Sequence, residues 1–148
     1  MAETYETRWK VRFGDVDPAG VAFYPTVVRA LHDALEDFFG EFVGVEYDRV
    51  LTEERLGFPA VGLNVNFFRP LRFGETVILA MSITHLGRSS VRFRYRVRGE
   101  DGTERAEAEV TVTTVSLDSF SSVPIPDRYR RVFERVLEPD TEDDVGGA

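Results

Sequence analysis

The stretch TVVRALHDALEDFFGEF, residues 26–42, decides the fold that this sequence predicts. Its apolar residues recur at spacings of three and four, which places them on one face of an α-helix. Pro25 and Thr26 are typical of a first helical turn, and Gly40 or Gly44 is expected to end the helix. The apolar positions are Val27, Val28, Leu31, Leu35, Phe38, Phe39 and Phe42. Such a broad aromatic face favours burial against a sheet.

On both sides of this helix, apolar and polar residues alternate, as is typical of strands with one buried face. One strand is expected over residues 5–13, and four more follow Pro59. Turn residues separate these four strands, so we predict an antiparallel meander. The apolar positions are Val61, Leu63, Val65 and Phe67, then Val77, Leu79, Met81 and Ile83, then Val91, Phe93, Tyr95 and Val97, and finally Ala108, Val110, Val112 and Val115.

The order of these elements predicts an α+β architecture, in which an antiparallel sheet curls around one central helix. A shorter helix is expected over residues 48–56, and a C-terminal helix over residues 126–137. Residues 1–138 are predicted to form a single domain. Residues 139–148 form an acidic tail, which we expect to be flexible.

Composition narrows the class of protein. The chain has 148 residues, with 26 acidic and 18 basic side chains and a net charge of −8. An acidic protein is poorly suited to general nucleic-acid binding, which needs a basic surface. The absence of cysteine excludes disulfides, thiolate metal sites and cysteine nucleophiles. No apolar run is long enough for a membrane span, and the N-terminus lacks signal-peptide character, so a cytoplasmic location is expected.

The stretch FGDVDPAGVAFYP, residues 13–25, is the best candidate for a functional loop. It places two carboxylates, Asp15 and Asp17, just before the predicted helix. Unpaired N–H groups at a helix N-terminus stabilise negative charge, and a nearby carboxylate can attack a carbonyl or activate water. Both aspartates can equally serve as turn and capping residues. Pattern alone leaves both interpretations open.

This stretch closely resembles the signature of the hydroxybenzoyl-CoA thioesterase family of hotdog-fold acyl-CoA thioesterases. The resemblance extends, as a pattern, through the turn FFRPLRFGE at residues 67–75 and covers about residues 5–118. It implies a hotdog fold, a five-stranded antiparallel sheet wrapped around a long central helix. The architecture inferred from periodicity agrees with this.

By resemblance, Asp17 is the catalytic carboxylate, acting as nucleophile or general base. The backbone N–H of Tyr24 would polarise the thioester oxygen, and Phe23 would contact the acyl group. A short-chain branch of the family carries histidine at the position of Tyr24. This sequence is therefore more similar to the aromatic-acyl branch, although the resemblance does not identify the acyl group.

Two further segments are implied to bind substrate. The segment GFPAVG, residues 57–62, would enter the acyl pocket from a neighbouring subunit, and a plain helix-to-strand turn is the alternative. The segment HLGRSS, residues 85–90, would hold the coenzyme A phosphates, with arginine and serine as donors. The residues assigned to substrate binding in these segments are Pro59, Val61, Gly62, Arg88, Ser89 and Ser90.

The implied activity is hydrolysis of an acyl-CoA thioester to a carboxylic acid and free coenzyme A, in a homodimer or homotetramer. No metal is expected, because His32 and His85 have no second histidine at ligand spacing. No cofactor is needed beyond coenzyme A, which is part of the substrate. The alternative is a non-hydrolytic hotdog protein that binds acyl-CoA or acyl carrier protein. The choice between CoA and carrier-protein thioesters stays open.

Overall fold

The elements of the fold follow from a computed structural model, which describes residues 2–139. In chain order they are β1 (Tyr5–Lys10), α1 (Tyr24–Asp37), α2 (Tyr47–Thr52), β2 (Leu56–Gly57), β3 (Ala60–Phe67), β4 (Thr76–Leu86), β5 (Ser90–Gly99), β6 (Glu104–Thr113), β7 (Val115–Ser116) and α3 (Asp127–Arg135). The predicted acidic tail lies, apart from Pro139, outside the described residues. Within these residues, no helix is long and apolar enough to cross a membrane.

The main sheet has five strands in the order β1-β4-β5-β6-β3, and every neighbouring pair is antiparallel. One face of this sheet is buried against α1, and β2 and β7 form a separate two-stranded ladder. The helix α3 packs beside the far end of α1. This is the α+β arrangement of a hotdog fold, and the predicted fold class is confirmed.

The apolar face of α1 is buried as its periodicity predicts, and the helix continues beyond Asp37 in wider π-helical turns over Phe38–Val43. Gly44 ends it with φ +89°, a left-handed conformation that favours glycine, and its N–H donates to the carbonyl of Phe39 at 2.8 Å. Gly44, rather than Gly40, is therefore the terminating residue.

An aromatic cluster fixes this end of the helix. Phe38 is 1% exposed, and its ring lies 5.3 to 6.1 Å, centroid to centroid, from the rings of Tyr5, Phe42, Phe93 and Phe133. Edge-to-face and stacked pairs at such distances add to the energy of area burial. The cluster therefore ties α1 to β1, β5 and α3.

The predicted four-strand meander was wrong in one respect. The strands β4, β5 and β6 do follow one another across the sheet, but β3 pairs with β6, with Leu63 opposite Val110. The chain between β3 and β4 must therefore cross from one edge of the sheet to the far side of β5. Alternation is a local signal, and it does not specify which strand becomes a neighbour.

The edge position of β3 also overturns its predicted half-burial. Val61, Leu63 and Phe67 are 66%, 53% and 49% exposed, and of its four apolar positions only Val65 packs partly against the core. The first strand is likewise shorter than predicted, because it ends at Lys10 and leaves Phe13 exposed. The helix α1 therefore leaves most of the apolar row of β3 uncovered.

Candidate active site

The loop before α1 is a tight turn built around Asp17. Its Oδ1 accepts the N–H of Ala19 at 2.9 Å, and its own N–H donates to the carbonyl of Val21 at 3.0 Å. The carbonyl of Asp17 accepts the N–H of Gly20, whose φ of +79° suits glycine. Within residues 2–139, Oδ2 of Asp17 forms no hydrogen bond. One carboxylate oxygen holds the turn, and the other has no hydrogen-bond partner among the described residues.

Asp15 has a structural role in this loop. Its Oδ2 accepts the N–H of Arg12 at 2.9 Å, and its carbonyl accepts the N–H of Phe23 and the hydroxyl of Thr26, both at 2.8 Å. These bonds tie the strand end to the first turn of α1. Asp15 therefore orders the start of the helix.

The helix N-terminus beside this loop offers an unpaired donor. The helix begins at Tyr24 with Phe23 as its N-cap, and Pro25 has no N–H. The Tyr24 N–H finds no acceptor among the described residues, as is usual at a first helical position. The helix dipole adds partial positive charge there. Phe23 and Tyr24 are 48% and 64% exposed, and their rings meet edge to face.

The turn before β4 holds the Asp17 loop in place. Its residue Leu71 accepts the N–H of Ala22 at 2.7 Å, and Phe73 donates its N–H to the carbonyl of Gly20 at 3.0 Å. Glu75 closes the turn through a two-pronged ion pair with Arg105, at 2.8 and 2.7 Å. The guanidinium of Arg105 holds the pKa of Glu75 below its ordinary value.

We expect Glu75→Gln to lower the free energy of unfolding at pH 7 by about 1.5 kcal/mol, since it weakens a charge-assisted pair. The folded-state pKa of Glu75 lies below the unfolded value, so its contribution is present above the unfolded pKa and is lost as pH falls through the folded pKa. Urea unfolding of both proteins from pH 7 to pH 3 measures this. A gap between the two proteins that persists undiminished at pH 3 would contradict it.

The hairpin predicted to hold the coenzyme A phosphates, residues 85–90, lies at the end of the sheet opposite to Asp17. The first residue of β4 adjoins the Asp17 end, because the carbonyl of Glu75 accepts the N–H of Val11. The strand β4 spans 11 residues, roughly 33 Å, before it reaches the hairpin with Arg88, Ser89 and Ser90. A single chain therefore does not bring this hairpin near Asp17.

Pro59 lies at the same end as the hairpin. Its carbonyl accepts the N–H of Thr113, while Thr114 donates to the carbonyl of Ser89. Arg130 of α3, a residue that sequence reasoning missed, donates to the carbonyls of Gly87 and Arg88 at 2.6 and 3.2 Å. It adds positive charge beside the predicted phosphate site, and no sequence pattern indicates this, because Arg130 is one of several arginines on a short helix.

A cavity of about 500 Å³ opens between α1 and the sheet. Of the residues predicted to bind or react with the acyl group, Pro59 lines this cavity of its own chain, whereas Asp17, Phe23, Tyr24, Val61 and Gly62 do not. Its walls are mainly apolar. They come from α1 (Val28, Leu31, His32, Leu35), α2 (Tyr47, Leu51), residues 57–60, the strands (Leu63, Tyr95, Val110, Val112, Val115), Leu117 and Phe120.

The sequence analysis did not single out Tyr47 and Tyr95, the two tyrosines that line this cavity. Tyr95 occupies a buried position in the alternation of β5, and alternation does not distinguish a core side chain from a cavity wall. His32 also lines the cavity and pairs with Glu36 at 3.1 Å. No group of three metal-ligating side chains comes together within the described part of the chain.

An antiparallel sheet curled around one long helix is the hotdog fold, which this chain shares with thioesterases of known structure. The sequence profile of the thioesterase-like superfamily matches residues 11–133. The chain belongs to this superfamily, and the protein is a thioester hydrolase.

Individual relatives support the same placement. A 1,4-dihydroxy-2-naphthoyl-CoA hydrolase of Thermosynechococcus vestitus is 28% identical over 117 residues, 79% of this chain and 80% of the relative. The crystal structure of a hypothetical protein from Thermus thermophilus is 32% identical, with a TM-score of 0.79 over 92% of this chain and 100% of that one. A gentisyl-coenzyme A thioesterase is 26% identical, with a TM-score of 0.77 over 88% of this chain and 99% of that one.

Proposed function

We propose that the protein hydrolyses an acyl-CoA thioester, with Asp17 as the reacting carboxylate and the Tyr24 N–H as the oxyanion donor. The observation that carries this proposal is the loop geometry. Asp17 keeps one oxygen free in a loop that leads, seven residues later, into an unpaired N–H at the start of α1. Thioester hydrolysis develops negative charge on the carbonyl oxygen, and a helix N-terminus stabilises that charge.

Two chemical routes fit this arrangement. As a nucleophile, the carboxylate attacks the carbonyl carbon, the C–S bond breaks, and water hydrolyses the resulting anhydride. As a general base, the carboxylate takes a proton from water while the water oxygen attacks the carbonyl carbon. Both routes consume one water and release the acid and the free thiol, and neither needs a metal or an added cofactor.

We further propose that the working unit contains two chains paired through β3. This edge strand exposes an apolar row and an unpaired backbone edge, which two copies bury together by a two-fold axis. Antiparallel pairing sets the Ala60 end of one strand beside the Phe67 end of the other. Phe67 shares a surface hollow with Val21 and Ala22, which follow Asp17.

The consequence of this pairing is a composite site. The Asp17 loop of one subunit would adjoin the segments at the opposite end of its neighbour, namely Pro59, Val61 and Gly62 and, beyond them, Arg88, Ser89 and Ser90. The long separation within one chain then becomes proximity across the interface. Binding of coenzyme A by the hairpin is compatible with the net charge of −8, because Arg88 and Arg130 concentrate positive charge locally.

We expect Arg88→Ala to raise KM for an acyl-CoA about fivefold and to leave kcat within twofold, since it removes one phosphate contact and no reacting group. The matched substrate is the same acyl group on pantetheine, which has no phosphates and whose KM should not change. Steady-state thiol release measures both. Equal losses on the two substrates would contradict a phosphate role.

The function itself is tested by thiol release from a panel of aromatic and aliphatic acyl-CoA thioesters and from matching acyl carrier proteins. The apolar cavity of about 500 Å³ supports acyl groups of ring size, and the relatives named above include hydrolases of aromatic acyl-CoA. We expect turnover to be greatest with aromatic acyl-CoA. Tight binding of a thioester without thiol release would instead support a non-hydrolytic carrier of acyl groups.

A further inference from the structure

We propose that Tyr95 selects acyl groups that carry a neutral hydrogen-bonding substituent, such as a ring hydroxyl, by pairing with that substituent inside the cavity. This inference rests on the proposed function, because it takes the cavity as the site of the acyl group. It is argued from the buried side chain of Tyr95, which is not one of the proposed reacting groups.

Tyr95 is 1% exposed and lines the wall of the cavity. Its hydroxyl forms no hydrogen bond with any other residue in the range 2–139. Burial, and then the neighbouring Tyr47, raise the pKa of Tyr95, so the phenol is neutral and able to donate. Tyr47 lines the same cavity, and its hydroxyl likewise has no partner among these residues.

The other buried tyrosines show that this state is unusual for the fold. The hydroxyl of Tyr5 donates to Glu41 at 2.6 Å, and that of Tyr129 donates to Glu54 at 2.5 Å. Buried tyrosine hydroxyls normally find a partner, because leaving one unpaired forfeits its hydration without replacement. Among the described residues, the cavity is the only place where two neighbouring tyrosine hydroxyls, those of Tyr95 and Tyr47, both lack a hydrogen-bond partner.

A ligand that fills the cavity therefore meets apolar walls and one polar position. An unsubstituted ring would displace any water from Tyr95 and leave its hydroxyl unpaired, whereas a hydroxylated ring restores the bond. The substituent must be neutral, because an ionised group would lose its hydration against walls that are mainly apolar, where His32 is already paired with Glu36. The chemistry points to a hydroxyl or carbonyl on the acyl group, away from the thioester.

The test compares benzoyl-CoA with its 2-, 3- and 4-hydroxy derivatives. For the wild-type protein we expect at least one hydroxy isomer to exceed benzoyl-CoA about tenfold in kcat/KM, the factor that corresponds to one net hydrogen bond. Tyr95→Phe should remove this preference, so that the kcat/KM values of the hydroxy isomers fall to about that of benzoyl-CoA in the same variant. A preference that survives in Tyr95→Phe, or is absent from the wild-type protein, would overturn the proposal.

Tyr129→Phe is the matched control, because it removes a buried hydroxyl that already has a protein partner. It should lower the melting temperature without altering the substrate ratio, whereas Tyr95→Phe should leave the melting temperature unchanged or raised. Calorimetric binding of hydroxybenzoates and benzoate gives a readout that does not need hydrolysis. If the wild-type protein shows no turnover but binds hydroxybenzoates selectively, and Tyr95→Phe loses that selectivity, the proposed function is refuted and this inference stands. Equal binding of these acids, or binding of none, would refute the inference.

Discussion

Asp17→Asn is expected to lower kcat for acyl-CoA hydrolysis about a thousandfold, with KM changed by less than threefold. The substitution removes the negative charge that attacks the carbonyl or accepts a proton from water, and general-base catalysis alone is worth about 10² to 10⁴ in rate. The loop should keep its shape, because the carbonyl of an asparagine side chain can still accept the N–H of Ala19. Single-turnover thiol release separates the loss of chemistry from a loss of binding.

Asp15→Asn is the matched control for this variant. It changes the same type of side chain two residues away, where the carboxylate accepts the N–H of Arg12 and faces no substrate in the proposed site. We expect it to retain at least a third of the wild-type kcat. Full turnover by a folded Asp17→Asn protein, or equal losses in both variants, would show that Asp17 orders the loop and does not react.

The long helix was predictable from sequence because its signal is dense and local. Seven apolar residues share one face over residues 26–42, and burial of that face is the main energetic term for an amphipathic helix. The position of β3 was not predictable in this way. Alternation in β3 indicates a strand with one apolar face, but pairing with β6 depends on where the chain returns, which is a property of the whole fold.

The candidate site likewise has one part that was predictable from sequence and other parts that were not. The Asp17 loop is contiguous in sequence, so its resemblance to a known signature identified it as a unit. The separation of this loop from Arg88 depends on the length and direction of β4, which no single motif contains. No residue pattern indicates the role that we propose for Tyr95, because that proposal depends on a missing hydrogen-bond partner, which only the folded structure reveals.

Leu63→Asp is expected to abolish the β3-paired dimer and to lower kcat/KM more than a hundredfold. Leu63 lies in the middle of the exposed apolar row at 53% exposure, so the substitution places two carboxylates against each other and removes apolar area from the interface. The fold of one chain should survive, since Leu63 contributes little to its core. Dissociation would separate Asp17 from the Pro59 end of its neighbour.

Light scattering and sedimentation at micromolar concentration measure the assembly, and thiol release measures the activity. Asn64→Asp is the matched control, because Asn64 is the next residue of β3 and therefore points to the opposite face of the sheet. It introduces the same charge and should leave both the dimer and the activity within twofold of wild type.

Because Leu63 also lines the cavity, activity alone does not decide the question. A monomeric protein with full turnover would refute the composite site, whereas loss of dimer and turnover together in Leu63→Asp, with neither lost in Asn64→Asp, would establish that catalysis needs the edge of β3.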